Sequence, residues 1–162
     1  MVRPIAVGEA GALRELRLRA LRDAPEGFAS DLAGDSALGF EHWQRLTVGG
    51  DKRTTLVAQA DDDRLVGMAG GRWFDQERGI AQLWGLWVEP ALRGGGVGAE
   101  LVAQVNAWAA GAGAGFVRLG VLESGGEPVK AFYRRLGFVA LDEPAPLPAN
   151  PSRLATFMVR PV

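Results

Sequence analysis

Residues 88–99 read Val-Glu-Pro-Ala-Leu-Arg-Gly-Gly-Gly-Val-Gly-Ala, and this stretch decides the fold. Before it, the apolar and aromatic segment 80–88 predicts a strand. After it, apolar residues recur every three or four positions over 98–110 and predict a helix. Consecutive glycines let a backbone approach a ligand closely, and the first turn of a helix offers free N–H groups and a partial positive charge. The stretch therefore predicts a loop that holds the oxygens of a diphosphate.

Glycine-rich loops serve several kinds of phosphate site, which differ in the residues around them. A nucleoside-triphosphatase loop ends in Gly-Lys-Ser/Thr, whereas this one ends in Gly98-Ala99-Glu100. The pattern Gly94-x-Gly96-x-x-Ala99 satisfies the relaxed dinucleotide fingerprint, but the strand predicted at 116–121 lacks an acidic residue at its tip. A dinucleotide site and a glycine turn without any ligand stay open as alternatives.

Composition limits the class of protein. The chain has 162 residues, a formal net charge of −1 and no cysteine. Its length fits one domain over residues 1–162. The near-neutral charge gives no sign of a nucleic-acid or membrane partner, and no segment has the roughly 18 apolar residues of a membrane helix. Without cysteine there are no disulfides or sulfur-ligated metals, and we expect no metal site. The lack of a secretory signal predicts a cytoplasmic protein.

The remaining patterns predict an α/β or α+β order, with hairpins early and alternating strands and helices late. Strands are expected at 2–7, 54–60, 65–74, 138–141 and, as a final edge strand, 154–159. Helices are expected at 9–22, 41–47 and 128–136. Residues 28–39 are expected to form a loop, and the Pro-rich residues 143–151 a stiff connector. Gly85 indicates a bulge, which decides whether Trp84 and Trp87 share a face.

Two motifs in order resemble the GCN5-related N-acetyltransferase (GNAT) superfamily. Arg93-x-x-Gly96-x-Gly98 matches its Gln/Arg-x-x-Gly-x-Gly/Ala signature, and residues 131–138, Ala-Phe-Tyr-Arg-Arg-Leu-Gly-Phe, resemble its Leu-Tyr-x-x-x-Gly-Phe ending. The resemblance spans residues 81–141, and residues 13–30 are also similar to the opening helices of some members. It implies a single-domain GNAT fold, with a mixed, mostly antiparallel sheet of six or seven strands and four helices. In that fold the fourth and fifth strands splay apart.

The resemblance also implies a function, which is transfer of an acetyl group from acetyl-CoA to a primary amine of a small molecule or peptide. Tyr133, the only tyrosine, occupies the position of the family's general acid toward the CoA sulfur. The fourth strand would contact the pantetheine arm and the loop would hold the diphosphate. The implied cofactor-binding residues are Leu86, Trp87, Val88, Arg93, Gly94, Gly95, Gly96, Val97, Gly98 and Ala99. The oligomeric state stays open, with a homodimer as one alternative.

The sequence departs from the family pattern at two positions. Many members carry a glutamate in the fourth strand, which here has no carboxylate, and an asparagine seven residues before the tyrosine, which here is Gly126. Candidate proton acceptors are Asp75, Glu77, Glu123 and His42, and none is preferred. The departures keep open a non-catalytic acyl-CoA-binding regulatory module of the same fold.

The acceptor is left undefined by the sequence. Asp31 and Asp35 lie in the loop after the first helix, where acidic side chains would attract a cationic amine or simply be solvated. Trp73, Trp84 and Trp87 either wall the cleft or pack in the core.

Overall fold

A computed structural model describes residues 1–148 and 150–162; Ala149, in the Pro-rich segment predicted as a connector, lies outside the described residues. The strands are β1 Val2–Pro4, β2 Arg53–Gln59, β3 Leu65–Asp75, β4 Ile80–Val88, β5 Phe116–Leu122, β6 Val139–Ala140, β7 Ala145–Leu147 and β8 Asn150–Pro161. The helices are α1 Ala10–Asp23, α2 Leu32–Ser36, α3 Phe40–Thr47, α4 Val97–Gly111 and α5 Gly126–Arg135.

The strands form one mixed sheet in the order β1-β2-β3-β4-β5-β8-β6, and β7 pairs with β8. Neighbours run antiparallel except β4 and β5, which are parallel. The predicted fold class is therefore confirmed. The described residues contain eight strands and five helices, slightly more than expected, because β7 and α2 fall in segments that the sequence pattern did not resolve.

Two apolar clusters cover the two faces of the sheet. On one face, α4 packs its predicted stripe, and Leu101, Val105 and Ala109 are fully buried. On the other face, α1 and α3 pack through a second cluster that includes Leu13 and Trp43. Burial of these stripes is the main stabilising contribution, at about 25 cal/mol per Å² of apolar surface. In the described residues, no helix combines the length and apolarity needed to cross a membrane.

Three predictions about irregular segments were wrong. The last strand is not an edge strand, because β8 pairs with β5 on one side and with β6 and β7 on the other. Residues 28–39 contain α2, whose first turn is capped by Asp31 accepting a hydrogen bond from the Gly34 amide at 2.7 Å. The Pro-rich segment is not a connector throughout, since β7 within it forms a ladder with β8.

Candidate active site

The parallel pair β4 and β5 separates after only three residue pairs. Ile80, Ala81 and Gln82 align with Phe116, Val117 and Arg118, and β5 then continues only with β8 on its other edge. The gap between the two strands is a cavity of about 720 Å³. The splayed fourth and fifth strands are thus present, and they leave one edge of β4 open to a ligand.

A bulge in β4 lies beside this gap. Gly85 has φ +66°, and Gly85 and Leu86 together lie opposite one residue of β3, because Met68 aligns with Trp87 and Gly70 with Trp84. The extra residue resets the alternation of side chains. As a result, Trp84 and Trp87 both pack on the α1 side of the sheet, as the bulge predicts.

The cavity passes through the sheet from one face to the other. Leu86, Phe132 and Tyr133 line it and belong to the cluster under α4. Phe28 and Trp84 line it and belong to the cluster under α1. A ligand bound along β4 on the α4 side can therefore meet a second ligand that enters from the α1 side.

The glycine loop borders the cavity with open backbone. Gly94 and Gly96 have φ values of +82° and +89°, which side chains resist, and a Cβ on either would meet nothing within 4 Å. Gly96 caps α4. Within residues 1–148 and 150–162, the amides of residues 94–99 donate to no backbone carbonyl. Gly94, Gly96, Gly98 and Ala99 line the cavity, so this end of α4 can hold an anion.

Arg93 holds the loop to the sheet. Its Nε donates to the Val88 carbonyl at 2.9 Å, and its guanidinium forms an ion pair with Asp23. Asp23 also accepts from Trp87 Nε1 at 2.9 Å, and the bonds from Trp87 and Arg93 lower the pKa of this carboxyl. Asp23 was missed by sequence reasoning. No sequence signal marks it, since Trp87 and Arg93 lie 64 and 70 positions away.

Tyr133 lies on α5 against the cavity. Its ring packs edge-on against Phe132 at 5.1 Å and Phe138 at 5.7 Å between centroids, and the residue is 6% exposed. Burial raises the pKa of the phenol above its ordinary value of 10. The hydroxyl therefore stays protonated over the whole neutral and mildly basic range.

Comparison with known proteins identifies the family. Residues 13–138 match the family model described as Acetyltransferase (GNAT) family. The chain belongs to this GNAT acetyltransferase family. No curated protein matches the chain.

Solved structures share the whole GNAT fold with this chain. A GNAT-family acetyltransferase from Streptococcus pneumoniae is 18% identical with a TM-score of 0.81, covering 100% of this chain and 99% of that one. A GCN5-related N-acetyltransferase from Kribbella flavida is 24% identical, with a TM-score of 0.76 and coverage of 100% and 97%. A putative acetyltransferase from Salmonella typhimurium, solved with its cofactor acetyl-CoA, is 19% identical, with a TM-score of 0.76 and coverage of 99% and 92%.

The candidate proton acceptors lie outside this GNAT cavity. Glu123 is bonded to Lys130 at 2.9 Å and to Thr156, and these bonds lower the pKa of its carboxyl. Asp75 accepts from the Arg78 amide at 3.0 Å. His42 packs edge-on against Trp43 at 5.1 Å. Of the described residues, no carboxylate or imidazole side chain lines the cavity.

Of the residues that the sequence suggested for the acceptor site, some line the cavity and others do not. Trp84 and Trp87 line the cavity, whereas Trp73 packs under α4 and donates to the Asp51 carbonyl at 2.9 Å. Asp35 is 8% exposed and paired with Arg17, so it is not a free acceptor for an amine. The structure therefore brings together the glycine loop, β4 and Tyr133, but not the acids.

Proposed function

We propose that the chain is an acetyl-CoA-dependent N-acetyltransferase that passes the acetyl group to a primary amine of a small molecule or peptide by direct attack on the thioester. The observation that carries this function is the open edge of β4, with unpaired amides at one end of the cavity and Tyr133 in its wall. The Salmonella typhimurium structure, which shares the fold, contains acetyl-CoA and supports the same donor here.

The loop fits the diphosphate of CoA. Consecutive free amides at the start of a helix bind phosphate oxygens with little need of basic side chains. Leu86, Trp87 and Val88 would contact the pantetheine arm along the open edge, and Gly94 to Ala99 would hold the diphosphate. Arg93 keeps the loop in place through its ion pair with Asp23.

The chemistry needs a neutral amine and a protonated leaving group. The amine nitrogen forms a bond to the thioester carbonyl carbon, and the C–S bond breaks. As the C–S bond breaks, the sulfur takes the proton of the Tyr133 hydroxyl. The attacking nitrogen became positively charged on forming its bond, and the proton that it then loses restores the Tyr133 phenol through solvent. Because no acid or imidazole in the described cavity wall can accept the ammonium proton, the amine reacts after losing it to solvent. The catalytic domain is residues 1–162.

A charge-matched pair of variants tests the proposal. Gly96→Asp adds a carboxylate and a strained φ beside the diphosphate site, whereas Gly111→Asp adds the same charge at the other end of α4, where a Cβ meets nothing within 4 Å. We expect calorimetry to show acetyl-CoA binding by the wild type and Gly111→Asp, with at least about 100-fold weaker binding by Gly96→Asp. Free-thiol release with an amine panel should follow the same order. Equal affinity in the two variants contradicts the site.

A further inference from the structure

The α1-side end of the cavity is walled by two aromatic rings. Phe28 is 7% exposed and follows the turn after α1. Trp84 lies on β4, and its ring crosses Gly70 so closely that a Cβ there would come within 2.0 Å of it. The Trp84 ring can therefore occupy this position only because residue 70 is a glycine. Both rings line the cavity on the face opposite α4.

Phe28 is held in place by Arg17. The guanidinium carbon lies 4.3 Å from the ring centroid, Nε donates to Asp35 at 2.9 Å and Nη2 donates to Ser30 Oγ at 2.9 Å. The Arg17 side chain is 12% exposed. Its Nη1 would lie 3.5 Å from a Cβ on the cavity-lining Gly85, and it finds no acceptor among the described residues. Because a cation already contacts the Phe28 ring, this ring is a poor partner for a second cation.

Among the residues that the structure describes, none at this end of the cavity offers a counterion for a cationic substrate. Among the described lining residues, the charged side chains are Arg93 and Arg135. Arg153 donates to the carbonyls of Phe28 and Glu26, and it forms no ion pair within the part of the chain that the structure describes. Glu26 itself is exposed and outside the cavity wall.

From these contacts we infer that the acceptor is a monoamine with an aromatic or apolar body, and that amines carrying a second positive charge are poor acceptors. The inference rests on the proposed function and names its substrate class. Phe28 and Trp84 stabilise an aromatic body by stacking and burial. A second ammonium group would lose its hydration in a cavity without a carboxylate, which is unfavourable.

Three amines distinguish the effect of a second positive charge on the acceptor from the effect of an aromatic ring. Pentylamine and 1,5-diaminopentane differ by one ammonium group, whereas 2-phenylethylamine adds a ring. We expect kcat/KM with acetyl-CoA to be greatest for 2-phenylethylamine and at least about tenfold lower for 1,5-diaminopentane, with pentylamine between them. A value for 1,5-diaminopentane equal to or above that of pentylamine overturns the inference.

Two tryptophan variants test whether Trp84 is responsible for the preference for an aromatic amine. Trp84→Leu should lower kcat/KM for 2-phenylethylamine about fivefold while the acetyl-CoA affinity stays unchanged. Trp73→Leu removes a tryptophan outside the cavity and should change neither quantity. An equal loss in both variants, or no loss in Trp84→Leu, contradicts the assignment of the aromatic wall.

Calorimetry with the same amines keeps this inference separate from the proposed function. The amines are titrated into wild-type protein alone and into protein saturated with CoA, without turnover. We expect 2-phenylethylamine to bind most tightly, and tighter binding of 1,5-diaminopentane, or no binding of 2-phenylethylamine, overturns the inference. Failure of the wild type to bind acetyl-CoA overturns the proposed function instead, and the amine titration still decides the substrate class.

Discussion

Tyr133 combines a packing role with the proposed role of general acid. Its ring packs edge-on against Phe132 and Phe138, and Tyr133 lines the same cavity as the open edge of β4. Tyr133→Phe keeps the ring and removes the proton. We expect kcat to fall about 100-fold while the calorimetric affinity for acetyl-CoA is retained. An unchanged kcat would exclude Tyr133 as the acid, and an equal loss of acetyl-CoA affinity would indicate a binding role.

The raised pKa of Tyr133 has a consequence for the pH profile. Burial disfavours the phenolate, so the phenol remains a proton donor above pH 10. The amine must be neutral to attack, and its neutral fraction grows with pH. We therefore expect kcat/KM to rise with pH up to the pKa of the amine and to show no fall by pH 10. A fall between pH 8 and pH 10 in a protein that stays folded contradicts this assignment.

Sequence patterns predict only some of the residues around this cavity. The position of Tyr133 and of three loop glycines in the cavity wall was predictable, because a positive φ and a motif spacing both leave a local signature. Asp23 was not, since its contacts with Trp87 and Arg93 exist only after α1 and β4 pack together. Asp35 was suggested as a free acid, and the structure gives it a buried partner on a neighbouring helix instead.

At the scale of elements, an ion pair fastens β1 to the start of α1. Arg3 donates to Glu9 at 2.7 and 2.8 Å, and the Ala6 amide donates to the same carboxylate at 2.7 Å. The hydrogen bond from Arg3 lowers the pKa of Glu9 from 4.5 to about 2. A depressed folded pKa stabilises the fold above the unfolded pKa, and this stabilisation is lost as pH falls through the folded value.

Glu9→Gln tests this link. At pH 6 we expect the wild type to have a free energy of unfolding about 1 kcal/mol above that of the variant. That difference should begin to shrink below about pH 4.5 and disappear only as pH falls through about 2, because the wild-type carboxyl binds a proton on unfolding in this window. Urea titrations across this pH range measure it. A difference that stays constant or grows toward low pH contradicts the ion-pair account.

Elements were predictable where one periodicity decides them. The bounds predicted for α4 from its apolar stripe, and for β4 from its apolar run, agree with the structure to within one residue. The short elements α2 and β7 were missed, because five and three residues are too few to show a period and depend on a cap or a partner strand. The position of β8 inside the sheet was also missed, since its neighbours are set by topology.

At the scale of the whole molecule, the proposed function depends on a gap in the sheet. The chain could have closed β4 against β5 along their full length, yet the ladder stops after Gln82 and Arg118. The opening joins a face covered by α4 and α5 to a face covered by α1, so two substrates can meet within one sheet. The bulge at Gly85 and the loop that Arg93 ties to Asp23 both border this opening.

The central claim is that this gap holds the donor, with its diphosphate on the amides of residues 94–99. A crystal structure with acetyl-CoA tests it most directly. The account predicts phosphate oxygens within about 3 Å of these amides, the pantetheine along β4, and the thioester near Tyr133. Acetyl-CoA bound elsewhere, or a closed loop whose amides donate to the protein, would contradict the account.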